Sequence, residues 1–93
     1  MSFLKESRII TSELVGRYAA HLNEQEKAPT TVSAYIRVLA ALVDFLPDGT
    51  VTKTALIGWK EDLAERYAPD TVNLHLAALA GFLAFWGWDD CRV

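Results

Sequence analysis

Cysteine, proline, histidine and positive charge are all scarce in this sequence of 93 residues. With Cys91 as the one cysteine, no internal disulfide can form, and the composition fits a reducing cytoplasm. Nine basic residues stand against twelve acidic ones, a net charge of −3, which argues against a protein that grips nucleic acid with its whole surface. Any nucleic-acid role has to be local or shared with another domain. The longest apolar stretch, Leu74 to Trp88, is broken by His75, Gly81 and Gly87 and falls short of the roughly 20 residues of a membrane span. The opening MSFLKESRIITSE lacks the apolar core and small-residue cleavage site of a secretory signal.

Chemistry is scarce too. There is no glycine-rich phosphate loop and no Ser or Cys with a plausible base partner. His21 and His75 fall on different predicted helices, so no histidine pair has metal-ligand spacing. Glu61, Asp62 and Glu65 are flanked by Lys60 and Arg66 and read as a solvated face with local ion pairs. No enzyme activity, metal or cofactor is expected of the chain.

What is present is helical periodicity. Gly and Pro are few and 52% of residues are apolar, an ordinary composition for one compact domain. Apolar residues recur at three- and four-residue spacing in four segments. The first runs from about Thr11 to Glu26 with Leu14, Val15, Tyr18, Ala19 and Leu22 on one stripe. The second, Thr30 to Leu46, carries Val32, Tyr35, Ile36, Leu39, Leu42, Val43 and Leu46 and stops at Pro47-Asp48-Gly49. The third opens at Thr52, turns Leu56, Trp59, Leu63 and Tyr67 to the core, and ends before Pro69. The fourth is Asp70 to Trp86, closed by Gly87. Thr11, Thr30, Thr52 and Asp70 are the expected N-caps, each worth about 1 kcal/mol. No segment shows sustained two-residue alternation, so the fold class is all-α.

Two of these helices are near-copies. APTTVSAYIRVLAALVDFL (28–46) and APDTVNLHLAALAGFLAFW (68–86) share Ala, Pro, Thr, Val, Leu, Ala and Phe at an offset of forty. Each is the second helix of a hairpin, and packing one hairpin across the other would bury the apolar face each leaves open. The small pairs Ala40-Ala41 and Ala80-Gly81 suggest a close crossing of helices 2 and 4. Helix 4 is apolar on two faces, which calls for neighbours on both. Phe82, Phe85, Trp86 and Trp88 could form a base-stacking platform, but such platforms need interleaved Lys and Arg, and here Asp89 and Asp90 follow with only Arg92.

The order of these signals resembles a known pattern. A first helix with Y-x-x-H-L, then T-T-V-S-A-Y-x-R-x-L-x-x-L-x-x-F-L, a helix opened by V-T-K-T, and a last D-T-V-N-x-x-L-A-A-L-x-x-F-x-x-F resemble the N-terminal core-binding domain of tyrosine recombinases, the phage integrase and Xer-like family. The resemblance runs from about Thr11 to Trp86. It implies a four-helix SAM-like bundle of two crossed hairpins: an N-terminal extension at 1–10, the core-binding domain at 11–88, and at 89–93 the start of a linker to a catalytic domain. It implies a non-catalytic half of a clamp around the recombination core site, working in DNA integration and recombination. The partners would be double-stranded DNA, the catalytic domain and neighbouring protomers, with no membrane, in a bacterial cytoplasm at the nucleoid. In that family the N-terminal parts of helices 2 and 4 face DNA, which points to Lys27, Thr30, Thr31, Ser33 and Arg37, and to Thr71, Asn73 and His75. Leu74 and Gly81 stand where family members commonly carry Arg or Lys. The family's catalytic residues are not in this sequence, and Tyr18, Tyr35 and Tyr67 are expected at core positions rather than as nucleophiles. The competing reading is a helical protein-interaction domain without DNA binding.

Overall fold

The computed structural model describes residues 8–93; the first seven residues of the expected N-terminal extension lie outside that range. Four α-helices follow in order, α1 (Ser12–Glu24), α2 (Pro29–Phe45), α3 (Lys53–Arg66) and α4 (Pro69–Trp86), with a single 3₁₀ turn at Asp89–Cys91. The fold is all-α. Helix α1 packs on α2 and α3 on α4, giving two hairpins, and α4 joins them by packing on α1 and α2 as well.

Helix starts follow two rules. Thr11 and Thr52 cap α1 and α3, their hydroxyls accepting from the N–H of Leu14 at 3.2 Å and of Ala55 at 3.1 Å. Thr30 and Asp70, expected as caps, lie inside their helices. The caps are Ala28 and Ala68, and Pro29 and Pro69 take the first helical position. Proline suits that place because its missing N–H would have no partner there and its φ is already helical. At the other end of α4, Gly87 takes φ 75°, and the N–H groups of Gly87 and Trp88 bond the carbonyls of Ala84 (3.2 Å) and Leu83 (2.7 Å). This is a Schellman motif, completed by Trp88 lying edge-on to Phe82 at 6.1 Å.

The core is built from Val15, Tyr18 and Leu22 of α1, Val38, Leu39 and Leu42 of α2, Leu56, Trp59 and Leu63 of α3, and Ala78, Leu79, Phe82 and Leu83 of α4. Ile36 and Tyr67, read from periodicity as core, are 39% and 42% exposed. Both sit at the margin of their helix's apolar stripe, where a period fixes the direction of a face but not its width. The close crossing also differs from expectation. Ala40 and Ala41 face solvent, and Gly81 lies against α1, where a Cβ would run into the Tyr18 hydroxyl.

The core reaches past the helices at both ends. Ile10 is buried, and residues 8–10 lie antiparallel to 49–51 through one isolated bridge, Ile9 to Thr50. The Ile10 N–H bonds Gly49 O at 2.9 Å, and the Val51 N–H bonds Arg8 O at 2.7 Å. Gly49 has φ 76°, and a side chain there would strike the Ile10 carbonyl. Cys91 is buried, and Arg8 forms an ion pair with Asp90.

Candidate nucleic-acid interface

Lys27 owes its place to the way α1 ends. Glu26 has φ 59°, the N–H of Glu26 bonds the Asn23 carbonyl at 3.0 Å, and that of Lys27 bonds the Leu22 carbonyl at 3.1 Å. This is the same motif that closes α4, made without glycine at a cost of about 1–2 kcal/mol. The turn brings Lys27 to a cleft of about 290 Å³ shared with Tyr18, His21, Gln25, Gly81 and Phe85. His21 and Phe85 meet there with ring centroids 4.7 Å apart and planes tilted by 32°. Burial, and more weakly Tyr35, pushes the Tyr18 phenol above its ordinary range, so it remains a neutral hydroxyl.

On α2, Thr30, Ser33 and Arg37 are exposed and Thr31 is half-buried. The first turn of α2 has neither a side-chain cap nor an acidic residue, so its leading amide groups face outward uncompensated. On α4, Asn73 is exposed and Thr71 half-buried, but the first turn carries Asp70. His75 is engaged within the fold. Its Nδ1 lies 2.8 Å from the Thr71 carbonyl, which can only accept, so Nδ1 carries the proton. The ring stacks on Tyr67 at 5.3 Å and meets Trp59 edge-on at 6.0 Å.

These residues do not gather at one point. Lys27 lies beside the later turns of α4, whereas Thr71, Asn73 and His75 occupy its first two turns. At 1.5 Å per residue, Asn73 and Ala84 are about 16 Å apart along the helix axis.

Charge is distributed unevenly. Arg8, Arg17 and Arg66 are paired with Asp90, Glu13 and Asp62. Among the described residues, Lys27, Arg37, Lys53, Lys60 and Arg92 have no carboxylate within ion-pair distance. Lys53, Lys60 and Arg92 come together around a second cleft of about 510 Å³, a grouping the sequence reading missed. The seven-residue spacing of the two lysines was visible, but Arg92 joins them only because the 3₁₀ turn returns the chain to α3. Among the described residues no group of His, Cys, Asp and Glu is placed to hold a metal, and no helix is long and apolar enough to cross a membrane.

Residues 15–89 match the phage integrase N-terminal SAM-like domain. No curated protein and no solved structure matches the chain.

Proposed function

Because the chain belongs to the phage integrase N-terminal SAM-like domain family, we propose that it is a non-catalytic DNA-clamping domain of a site-specific tyrosine recombinase. It holds duplex DNA at the recombination core site, mainly through phosphates, while a catalytic domain closes on the other side and neighbouring protomers assemble alongside. Beyond the family, the observation that carries this reading is the start of α2. Lys27 and Arg37 are without carboxylate partners among the described residues, and they bracket exposed Thr30 and Ser33 at an uncapped helix N-terminus. Open amide groups, hydroxyls and cations in that order suit a phosphate backbone. Helix α4 plays the lesser part: Thr71 and Asn73 add neutral polar contacts, Asp70 repels phosphate, and His75 is held by Tyr67 and Thr71. With so few cations, the domain positions DNA and reads little base sequence.

Titrating the ¹⁵N-labelled chain with a short duplex at low salt tests the proposal. Shifts are expected to be strongest from Lys27 to Arg37 and weaker from Thr71 to His75. No shift at low salt would refute it.

One observation favours a second reading, a helical protein-interaction domain without DNA binding. Leu74 and Phe85 are 42% and 38% exposed. They stand eleven residues apart on α4 with buried Ala78 between them, so they offer two separate apolar contacts rather than one continuous face. Under that reading, loss of Leu74 would change self-association and loss of Arg37 would leave DNA affinity unchanged.

A further inference from the structure

The second cleft lies on the side of α3 that neither the core nor the α2 surface uses. Lys53, Ile57, Lys60 and Ala64 follow one another at four-, three- and four-residue steps, a single stripe about 16 Å long. Arg92 and Val93 form the opposite wall. The floor is aliphatic, with Ile57 43% exposed in it. Three cations stand on the rim, none with a carboxylate within ion-pair distance among the described residues. In a chain of net charge −3 this concentration stands out, since among the other described cations Arg8, Arg17 and Arg66 are spent in pairs.

From this geometry we infer that the α3 trough is a docking site for an acidic protein segment that carries an apolar side chain between its carboxylates. The rim cations face the carboxylates and Ile57, Ala64 and Val93 receive the apolar group. Nucleic acid fits less well. A phosphate strand has no use for an aliphatic floor. An amphipathic segment laid along the stripe uses both halves of the surface. The α3 trough and the α2 surface are separate, so the two proposals stand or fall independently.

The probe is a synthetic acidic peptide with a central Phe-Leu pair, titrated into the ¹⁵N-labelled chain. Shifts are expected at Lys53, Ile57, Lys60 and Ala64 and not from Lys27 to Arg37. The K53E/K60E variant is expected to weaken binding at least about tenfold, with far-UV circular dichroism and melting temperature unchanged. Ile57→Ser is expected to weaken the same peptide while leaving a control peptide, with Ser-Ser at its centre, as weak as before. Equal binding of the two peptides would overturn the proposal by reducing it to charge alone. Duplex DNA shifting the same α3 residues, or concentration-dependent shifts there in the free chain, would overturn it in favour of a phosphate surface or a second copy.

Discussion

Helices α2 and α4 are one phrase in two settings. Forty residues apart, Val32 and Val72, Val38 and Ala78, Leu39 and Leu79, and Leu42 and Phe82 are buried alike. Ser33 and Asn73 are exposed alike, and so are Phe45 and Phe85, at 40% and 38%. Both helices begin with proline after an uncapped alanine. They part company outside the core. Where α2 has Thr30, Arg37 and Ala41, α4 has Asp70, Ala77 and Gly81. The two hairpins thus bury equivalent positions whether or not the letters match, and the outward positions describe what each helix meets.

The largest effects should come from breaking the shared burial. Leu42 and Phe82 are both fully buried. Leu42→Ala should cost about 2–5 kcal/mol and Phe82→Ala about 3–5 kcal/mol in urea unfolding. A negligible cost for either would end the equivalence of the two positions.

Next comes the unshared pair at 41 and 81. Gly81→Ala sets a methyl group against the Tyr18 hydroxyl and should destabilise by about 1–3 kcal/mol, although alanine is the better helix former. Tyr18→Phe should relieve most of that loss, since it deletes the atom in the way. The reverse change at the matching site, Ala41→Gly, touches solvent only and should cost about 1 kcal/mol through helix propensity. Thermal melts of the three single variants and of the Gly81→Ala/Tyr18→Phe double decide the matter.

A smaller contrast lies on the outer faces. If α2 is the DNA anchor, Arg37→Ala should weaken duplex binding and lower the slope of log affinity against log salt by about one. Ala77→Arg should raise the slope by about as much, making α4 resemble α2. Fluorescence anisotropy at several salt concentrations measures both.

The smallest effect is also the most even. Ala28 and Ala68 have extended ψ values of 138° and 157° and offer no side-chain acceptor. Serine at either should stabilise the domain by about 0.5–1 kcal/mol in chemical denaturation. Unequal gains would mean that the two helix starts are less alike than their geometry.

Much of this architecture was legible in the sequence, for reasons specific to each residue. Thr11, Thr52 and Gly87 act locally, through a hydroxyl or a left-handed φ, and local chemistry can be read off a string. Thr30 and Asp70 misled because cap residues and N1 proline are alternative ways to begin a helix, and here proline prevailed. The turn at Glu26 carried no glycine to announce it. The bridge from Ile9 to Thr50 is a single residue pair with no period to detect. Of the proposed interface, the exposure of Thr30, Ser33 and Arg37 follows from their position opposite the apolar stripe. The engagement of His75 does not, because Tyr67 and Trp59 reach it from α3 and its margin. The trough of Lys53, Lys60 and Arg92 was hidden for the same reason, since residues on separate elements assemble only when the chain turns back.

The ion pair between Arg8 and Asp90 gives the domain a topological property. It joins groups 82 positions apart, next to the strand-like bridge at Ile9. The polypeptide is thereby clasped into something close to a ring, in which the order of helices around the circle matters more than where the circle is cut. Ile10 from one end of the described chain and Cys91 from the other both belong to the one buried core, together with Leu46 and Val51. Opening the chain in the connection from Glu24 to Pro29, exposed throughout, is expected to leave that clasp in place.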